Sequence, residues 1–337
     1  MSASGLPFDD IRALCAMLPP PDGEAMGAVR ARNAALAKPP GSLGRLEEIA
    51  EWMAGWQGTA SPAVTRPLTA VFAGSHGVLV EGISPFPAEE TAARMAMAAA
   101  GGAAINQICG SLDIGLKVFE LALGVPTGNI AQGPALDERD CTATIAFGME
   151  AIAGGADLIC LGETGAGNTT VASAVLAGLF GGQVADWVVP AQDNPALTAR
   201  RIAVIERALA VHAGHLSDPL EVLRRLGGRE TAALAGAILA ARIQRIPVVL
   251  DGLGVAAAAA VLFALNPSAI DHCLAGHASG DPVHGRALAR IGRPPLLSLG
   301  LTIGEGAGAA LAVGVIRTAL ACHAGMATAD QPPGTLN

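Results

Sequence analysis

The stretch Asp157-Leu158-Ile159-Cys160-Leu161-Gly162-Glu163-Thr164-Gly165-Ala166-Gly167-Asn168-Thr169-Thr170 reads as a buried strand that runs through a glycine-rich turn into a helix. Similar short apolar runs recur at Leu68 to Ala73, Leu116 to Leu121, Pro247 to Leu250 and Leu296 to Leu301. Between them, alanine-rich segments predict helices around residues 88–108, 169–180, 199–212, 219–226, 229–243, 254–265 and 305–323. Start signals support the assignment: Asp218, Pro219 and Glu221 supply an N-cap, a first-turn proline and an N3 acid. The alternation predicts an α/β fold, a doubly wound and mainly parallel sheet flanked by helices. The first 60 residues carry helical pieces, Trp52 and Trp56, and no strand signal. They predict a smaller helical lobe built from both chain ends, residues 1–62 and 305–330, beside a large α/β domain at 63–304. A polar tail from Asp330 to Asn337 closes the chain.

Of 337 residues, 51% are hydrophobic and 15% charged, a composition that excludes disorder for the bulk. The net charge of −8, with Lys38 and Lys117 as the two lysines, leaves no basic stripe to track a nucleic-acid backbone. The mean hydropathy of +0.46 raises the question of a membrane. The long charge-free stretches, between Glu163 and Asp186 and between Asp251 and Asp271, are rich in Ala and Gly and interrupted by Asn168, Gly181-Gly182 and Asn266-Pro267. They read as buried helices rather than spans, so no membrane partner is expected. From Met1 to Asp9-Asp10 no secretory signal is visible, and the cytoplasm is expected. Six scattered cysteines read as buried hydrophobes of a reducing compartment. His272, His277 and His284 match no metal-ligand spacing, so neither a metal nor an organic cofactor is expected.

In open parallel sheets, ligands bind beyond the carboxyl ends of the strands. The informative residues sit there: Gly74-Ser75-His76-Gly77, Gly162 to Thr170, Asp251-Gly252, and Gly304-Glu305-Gly306-Ala307-Gly308. The turn Gly165-Ala166-Gly167 before Asn168 and Thr169 suits a phosphate at a helix start, or simply a tight turn with a polar cap. No G-x-x-x-x-G-K-[ST] is present, which excludes a Walker-type ATPase. Gly304-x-Gly306-x-x-Ala309 matches the dinucleotide fingerprint in form, but too little chain follows for a βαβ unit. Glu305, between glycines at a helix start, suits either a general base or an acid that complements the helix dipole. Ser75, His76 and Asp251 lack the G-x-S-x-G elbow of a hydrolase triad.

Taken in order, several stretches resemble one family. They are Lys38-Pro39-Pro40-Gly41-Ser42-Leu43-Gly44-Arg45-Leu46-Glu47, Ala73 to Pro87 (AGSHGVLVEGISPFP), Gly101 to Asn106, Gly162 to Thr170, Val249 to Gly252, Gly276-His277-Ala278-Ser279 and Gly304 to Leu311. The ordered set, spread over nearly the whole chain, resembles the nicotinate-nucleotide:dimethylbenzimidazole phosphoribosyltransferases of cobalamin biosynthesis. The resemblance implies a homodimeric pentosyltransferase that moves the phosphoribosyl group of nicotinate mononucleotide onto dimethylbenzimidazole. By the same resemblance, Glu305 is the base, while Glu163 and the backbone of Gly165, Ala166, Gly167, Asn168 and Thr169 hold ribose and phosphate. Ser84, Phe86 and Pro87 then help form the benzimidazole pocket. Ser75, His76, Asp251, Gly252, His277, Ser279, Ile303 and Gly304 are placed along the substrates. Three positions depart from the family pattern: Ser75 where an acid is common, Arg201 where a lysine is usual, and Thr302 where an arginine is usual. Arg201 is expected to pair with Glu163 or the phosphate as a third catalytic group. Two other readings stay open, a related transferase with a different acceptor base and a non-catalytic nucleotide- or benzimidazole-binding paralogue.

Overall fold

The computed structural model describes residues 7–330; expectations placed on residues 1–6 and on the tail after Asp330 lie outside the described residues. The chain opens with α1 (Pro7–Ala16), α2 (Gly23–Ala35) and α3 (Arg45–Gln57) and then enters β1 (Pro67–Ala73). The helices α4 (Glu89–Ala99) and α5 (Ala104–Ser111) lead to β2 (Gly115–Glu120), and α6 (Glu138–Ala151) leads to β3 (Leu158–Thr164). A helical excursion follows, α7 (Asn168–Phe180), α8 (Pro195–His212), α9 (Pro219–Leu226) and α10 (Arg229–Ile243), before β4 (Val248–Leu250). Then come α11 (Leu253–Leu265), β5 (Cys273–Ala278), α12 (Pro282–Arg290), β6 (Pro295–Ser298) and α13 (Ala307–Gly325).

All strand pairs are parallel, and the sheet order is β2-β1-β3-β4-β5-β6. The chain steps outward from β1 to β2, then returns to lay β3 on the other side of β1. That reversal makes a topological switch point, the place where open parallel sheets have their ligand crevice, beyond the carboxyl ends of β1 and β3, where Phe72 pairs with Glu163 and Ala73 with Thr164. Every residue of β3 is buried, as expected for a strand covered on both faces. Ile159, Leu161, Val248 and Leu250 face a layer made by α1 and α6 to α12. Leu158, Cys160 and Val249 face the opposite layer of α2, α3, α5 and α13.

Alanine and glycine richness serves close helix packing. At the crossing of α6 and α10, a Cβ on Gly148 would lie 1.9 Å from the Ala233 carbonyl oxygen, and one on Gly236 would lie 1.9 Å from that of Ile145. The two charge-free stretches form α7 and α11, both largely buried. α13, 19 residues long, is apolar enough to cross a membrane by length and composition, yet it packs against α3, α5 and β5 with 56% of its apolar window buried.

α2 and the end of α13 meet on that layer. Arg32 of α2 donates to the carbonyls of His323 at 2.7 Å and Ala324 at 2.8 Å, and Leu36 bridges to Thr328. α1 lies on the opposite face, where Asn266 donates to the Cys15 carbonyl at 2.7 Å.

Four features differ from expectation. β5, Cys-Leu-Ala-Gly-His-Ala, has no β-branched residue and so gives no strand signal. α6 and α12 are additional helices started by Asp137 and Asp281, whose side chains accept from Asp140 N–H and Val283 N–H. The single helix expected at 88–108 divides into α4 and α5, because Gly101 adopts φ +79° after α4.

Candidate active site

The turn that carries Glu305 is seated on β3. Glu305 N–H donates to the Glu163 carbonyl at 3.3 Å, and Gly74 N–H donates to that of Thr164 at 3.2 Å, so both turns are pinned to one strand end. Gly304, Glu305 and Gly306 adopt φ of +71°, +60° and +83°. A glutamate in the left-handed region is strained, and such strain concentrates at functional sites. The seat requires bare backbone, since a Cβ on Gly162 would lie 2.2 Å from the Gly306 nitrogen.

Asp251, one residue beyond β4, locks this turn. Its carboxylate accepts from Gly306 N–H at 3.0 Å, Gly308 N–H at 2.8 Å and Ala309 N–H at 3.0 Å. These donors are the buried amide end of α13, which has no intrahelical acceptors and favours a negative charge. His277 Nε2 lies 3.3 Å from the same carboxylate. Asp251 is 1% exposed, so its role in this geometry is to anchor the Glu305 turn.

The two glutamates differ electrostatically. Burial pushes the Glu163 carboxyl up to about 8, reinforced by Glu230, Asp251 and Glu305 and opposed by Asn168, whose amide donates to Glu163 Oε2 at 2.6 Å. Glu163 is therefore mostly protonated at neutral pH and can donate a hydrogen bond. Glu305 is raised chiefly by burial; Arg94 opposes the rise and Asp251 adds to it. The Arg94 guanidinium approaches Glu305 Oε1 at 3.9 Å.

The glycine turn after β3 is held from α4: Thr91 Oγ1 accepts from Ala166 N–H at 2.9 Å. Gly167, at φ +82°, leads into Asn168, whose Oδ1 accepts from Thr169 N–H at 2.8 Å. Asn168 thus touches both the helix start and Glu163. Ser84 Oγ accepts from Phe86 N–H at 3.0 Å, and the Phe86 ring stands 48% exposed with Arg94 5.3 Å from its centroid. The ring is thus exposed rather than part of the core. Pro87 and Ile303 are also exposed, while Gly304 and Gly252 are half-buried.

Arg201 sits elsewhere in the network. It donates to the carbonyls of Ile83 at 2.9 Å and Val189 at 2.8 Å, which fixes the loop carrying Ser84 and Phe86. Its charged neighbour is Asp281. Ser75 and His76 are buried, with His76 Nε2 3.5 Å from Glu230 Oε1. His277 and His284 stack edge-on with centroids 5.6 Å apart, and Ser279 N–H donates to His284 Nδ1 at 3.2 Å. Among the described residues no group of His, Cys, Asp and Glu is arranged to hold a metal ion. A cavity of about 310 Å³ between Arg66, Lys117 and Gly155 lies at the amino ends of the strands, away from the glutamates.

Sequence reasoning missed Arg94, Thr91 and Glu230. Thr91 and Arg94 stand on an alanine-rich helix away from any glycine turn, while Glu230 follows Gly227-Gly228 at the start of α10, a glycine signal easily passed over because no strand precedes it.

A family model described as phosphoribosyltransferase matches residues 18–332. The nicotinate-nucleotide–dimethylbenzimidazole phosphoribosyltransferase of Sinorhizobium sp is 60% identical over 332 residues, covering 98% of both chains. That of Rhizobium rhizogenes is 61% identical over 329 residues, covering 97% of both. A crystal structure of the protein of that name from Thermus thermophilus superposes with a TM-score of 0.83 at 37% identity, over 91% of this chain and 97% of that one. Crevice, paired carboxyls and full-length likeness agree: the chain belongs to the nicotinate-nucleotide–dimethylbenzimidazole phosphoribosyltransferase family.

Proposed function

We infer that the chain transfers the phosphoribosyl group of nicotinate mononucleotide to dimethylbenzimidazole, giving α-ribazole phosphate and nicotinate. The observation that carries the site reading is the strained turn that holds Glu305 on β3, beside Glu163 and facing the exposed ring of Phe86 through Arg94. One benzimidazole nitrogen attacks the anomeric carbon as the bond to the pyridinium nitrogen breaks, with inversion. The bonding pair of the broken bond neutralises the pyridinium, so nicotinate leaves without a general acid. The new benzimidazole linkage is cationic until its other ring nitrogen gives up a proton, and Glu305 takes it. One C–N bond forms, one breaks, and one proton moves; the balance calls for no oxidant or metal.

Glu163, largely protonated, acts as a hydrogen-bond donor to the ribose, and the amides from Gly165 to Thr169 receive the phosphate at the start of α7. Ser84, Phe86 and Pro87 form the acceptor platform, which Arg201 secures from beneath through Ile83. Asp251, His277 and Gly304 act by fixing the Glu305 turn. We also propose that the protein works as a homodimer in a reducing cytoplasm; the exposed Met97, Leu299 and Ile303 support an apolar contact, and the free cysteines support the compartment.

The test is to incubate the protein with nicotinate mononucleotide and dimethylbenzimidazole and follow both products by chromatography with mass detection. Release of both supports the reading; a folded protein that binds the substrates and forms neither overturns it. Glu305→Gln should retain fold and binding and lose about 10²- to 10⁴-fold in turnover.

A further inference from the structure

We propose that Arg94 is a positioning residue for Glu305: tethered by Glu90 and laid on Phe86, its guanidinium holds the base carboxylate ionised beside the acceptor platform. The inference rests on the reading of Glu305 as the base.

Glu90 and Arg94 are four apart on α4 and share a face. Glu90 Oε1 accepts from Arg94 Nε at 3.0 Å, which fixes one edge of the guanidinium. The plane then lies 5.3 Å from the Phe86 centroid, within the range of a cation–π contact. Nη1 is left 3.9 Å from Glu305 Oε1. That separation is too long for a hydrogen bond and short enough for strong attraction. The carboxylate is thus favoured as an anion while its lone pairs stay free to receive a proton. A direct bond would have tied them up.

The surroundings make this cation matter. Burial and the Asp251 carboxylate beyond β4 both disfavour a negative charge on Glu305, while Glu163 on β3, largely protonated, supplies no cation to offset them. His277 of β5 is engaged with Asp251 rather than with Glu305. Glu90 is balanced by Arg94 itself. Among the described residues, Arg94 alone of the groups acting on Glu305 favours its charged form. Its side chain is 34% exposed, against 12% for Glu305, so the cation stands at the rim and the base behind it.

Loss of the cation raises the proton affinity of Glu305, so the acidic limb of activity must move to higher pH. The measurement is kcat/KM for phosphoribosyl transfer against pH for wild type, Arg94→Gln, Arg94→Lys and Glu305→Gln. The acceptor's own ionisation is common to all and cancels in ratios. Arg94→Gln should move the limb up by about 0.5 to 1 pH unit, a rim-exposed share of the usual effect of a nearby opposite charge. Its activity relative to wild type should then fall between about pH 8 and about pH 5, approaching a limit of roughly 3- to 10-fold on the acid side of the limb. Arg94→Lys should bring the limb back toward wild type. A merely structural role gives a loss independent of pH, and parallel profiles for Arg94→Gln and wild type overturn the proposal. If Glu305→Gln retains turnover, the base reading fails and the Arg94 role with it. If Glu305→Gln is inactive and the profiles are parallel, only the Arg94 role fails. Arg94→Met, which keeps an apolar stem over Phe86, repeats the comparison should the amide variant fold poorly.

Discussion

Glu163 and Glu305 show how one residue type takes two roles through environment. Glu163 lies inside β3 with Asn168 as its near neighbour and is pushed up to about 8 from 4.5. Its folded-state affinity for a proton exceeds that of the unfolded chain, so its stabilising contribution is complete below about pH 4.5 and is lost as pH rises through about 8. Glu163→Gln, which keeps a neutral donor of the same shape, should flatten the decline in melting temperature over that window, as read by calorimetry at several pH values. A decline as steep as that of wild type would count against a protonated Glu163. Both glutamates were legible in the sequence because each stands beside glycines just past an apolar run. Arg94 was not, since a lone arginine on an alanine-rich helix carries no local mark of what it faces. Arg201 was legible as important but its partners were not. Its donors go to main-chain carbonyls of Ile83 and Val189, which no residue pattern encodes.

At the level of elements, the start of α13 depends on a group from another strand. The helix has no capping side chain at Gly306, and Asp251 supplies the acceptor instead. Asp251→Ala removes the partner of three amide donors and leaves them buried; the expected cost is about 2 to 4 kcal/mol, measured by denaturant unfolding. Turnover should fall further than substrate affinity, because the Glu305 turn loses its anchor. Asp251→Asn keeps an acceptor and should recover part of both. The strands with apolar runs, β1 to β4, were readable by period and length. β5 was not, because its place in the sheet is decided by pairing with β4 and β6 and by α13 packed over it. The division of α4 from α5 hangs on one backbone angle at Gly101, a feature that helix propensity averages away.

Over the whole molecule, two apolar layers share one sheet, and their burial is uneven. β3, β4, α10 and α11 are buried along nearly their whole length, whereas β2 forms an edge on which no residue is fully buried. Amide hydrogen exchange should therefore be slowest in β3, β4, α10 and α11 and distinctly faster in β2 and α4; equal protection across the sheet would contradict that ranking. We propose that the two chain ends behave as one unit from α2 onward, supported by Arg32 on the His323 and Ala324 carbonyls and by the bridge of Leu36 to Thr328. α2, α3 and α13 should then exchange together. The α/β class and the position of the crevice followed from strand–helix alternation. The sharing of faces between distant helices did not, since it is a property of packing. The close approach of Gly162 to the Gly306 backbone, with Asp251 holding the turn from behind, sets how far apart the two glutamate-bearing segments stand. A side chain at position 162 would push that turn off β3 and widen the gap across which sugar and proton are handled, even with every other residue in place.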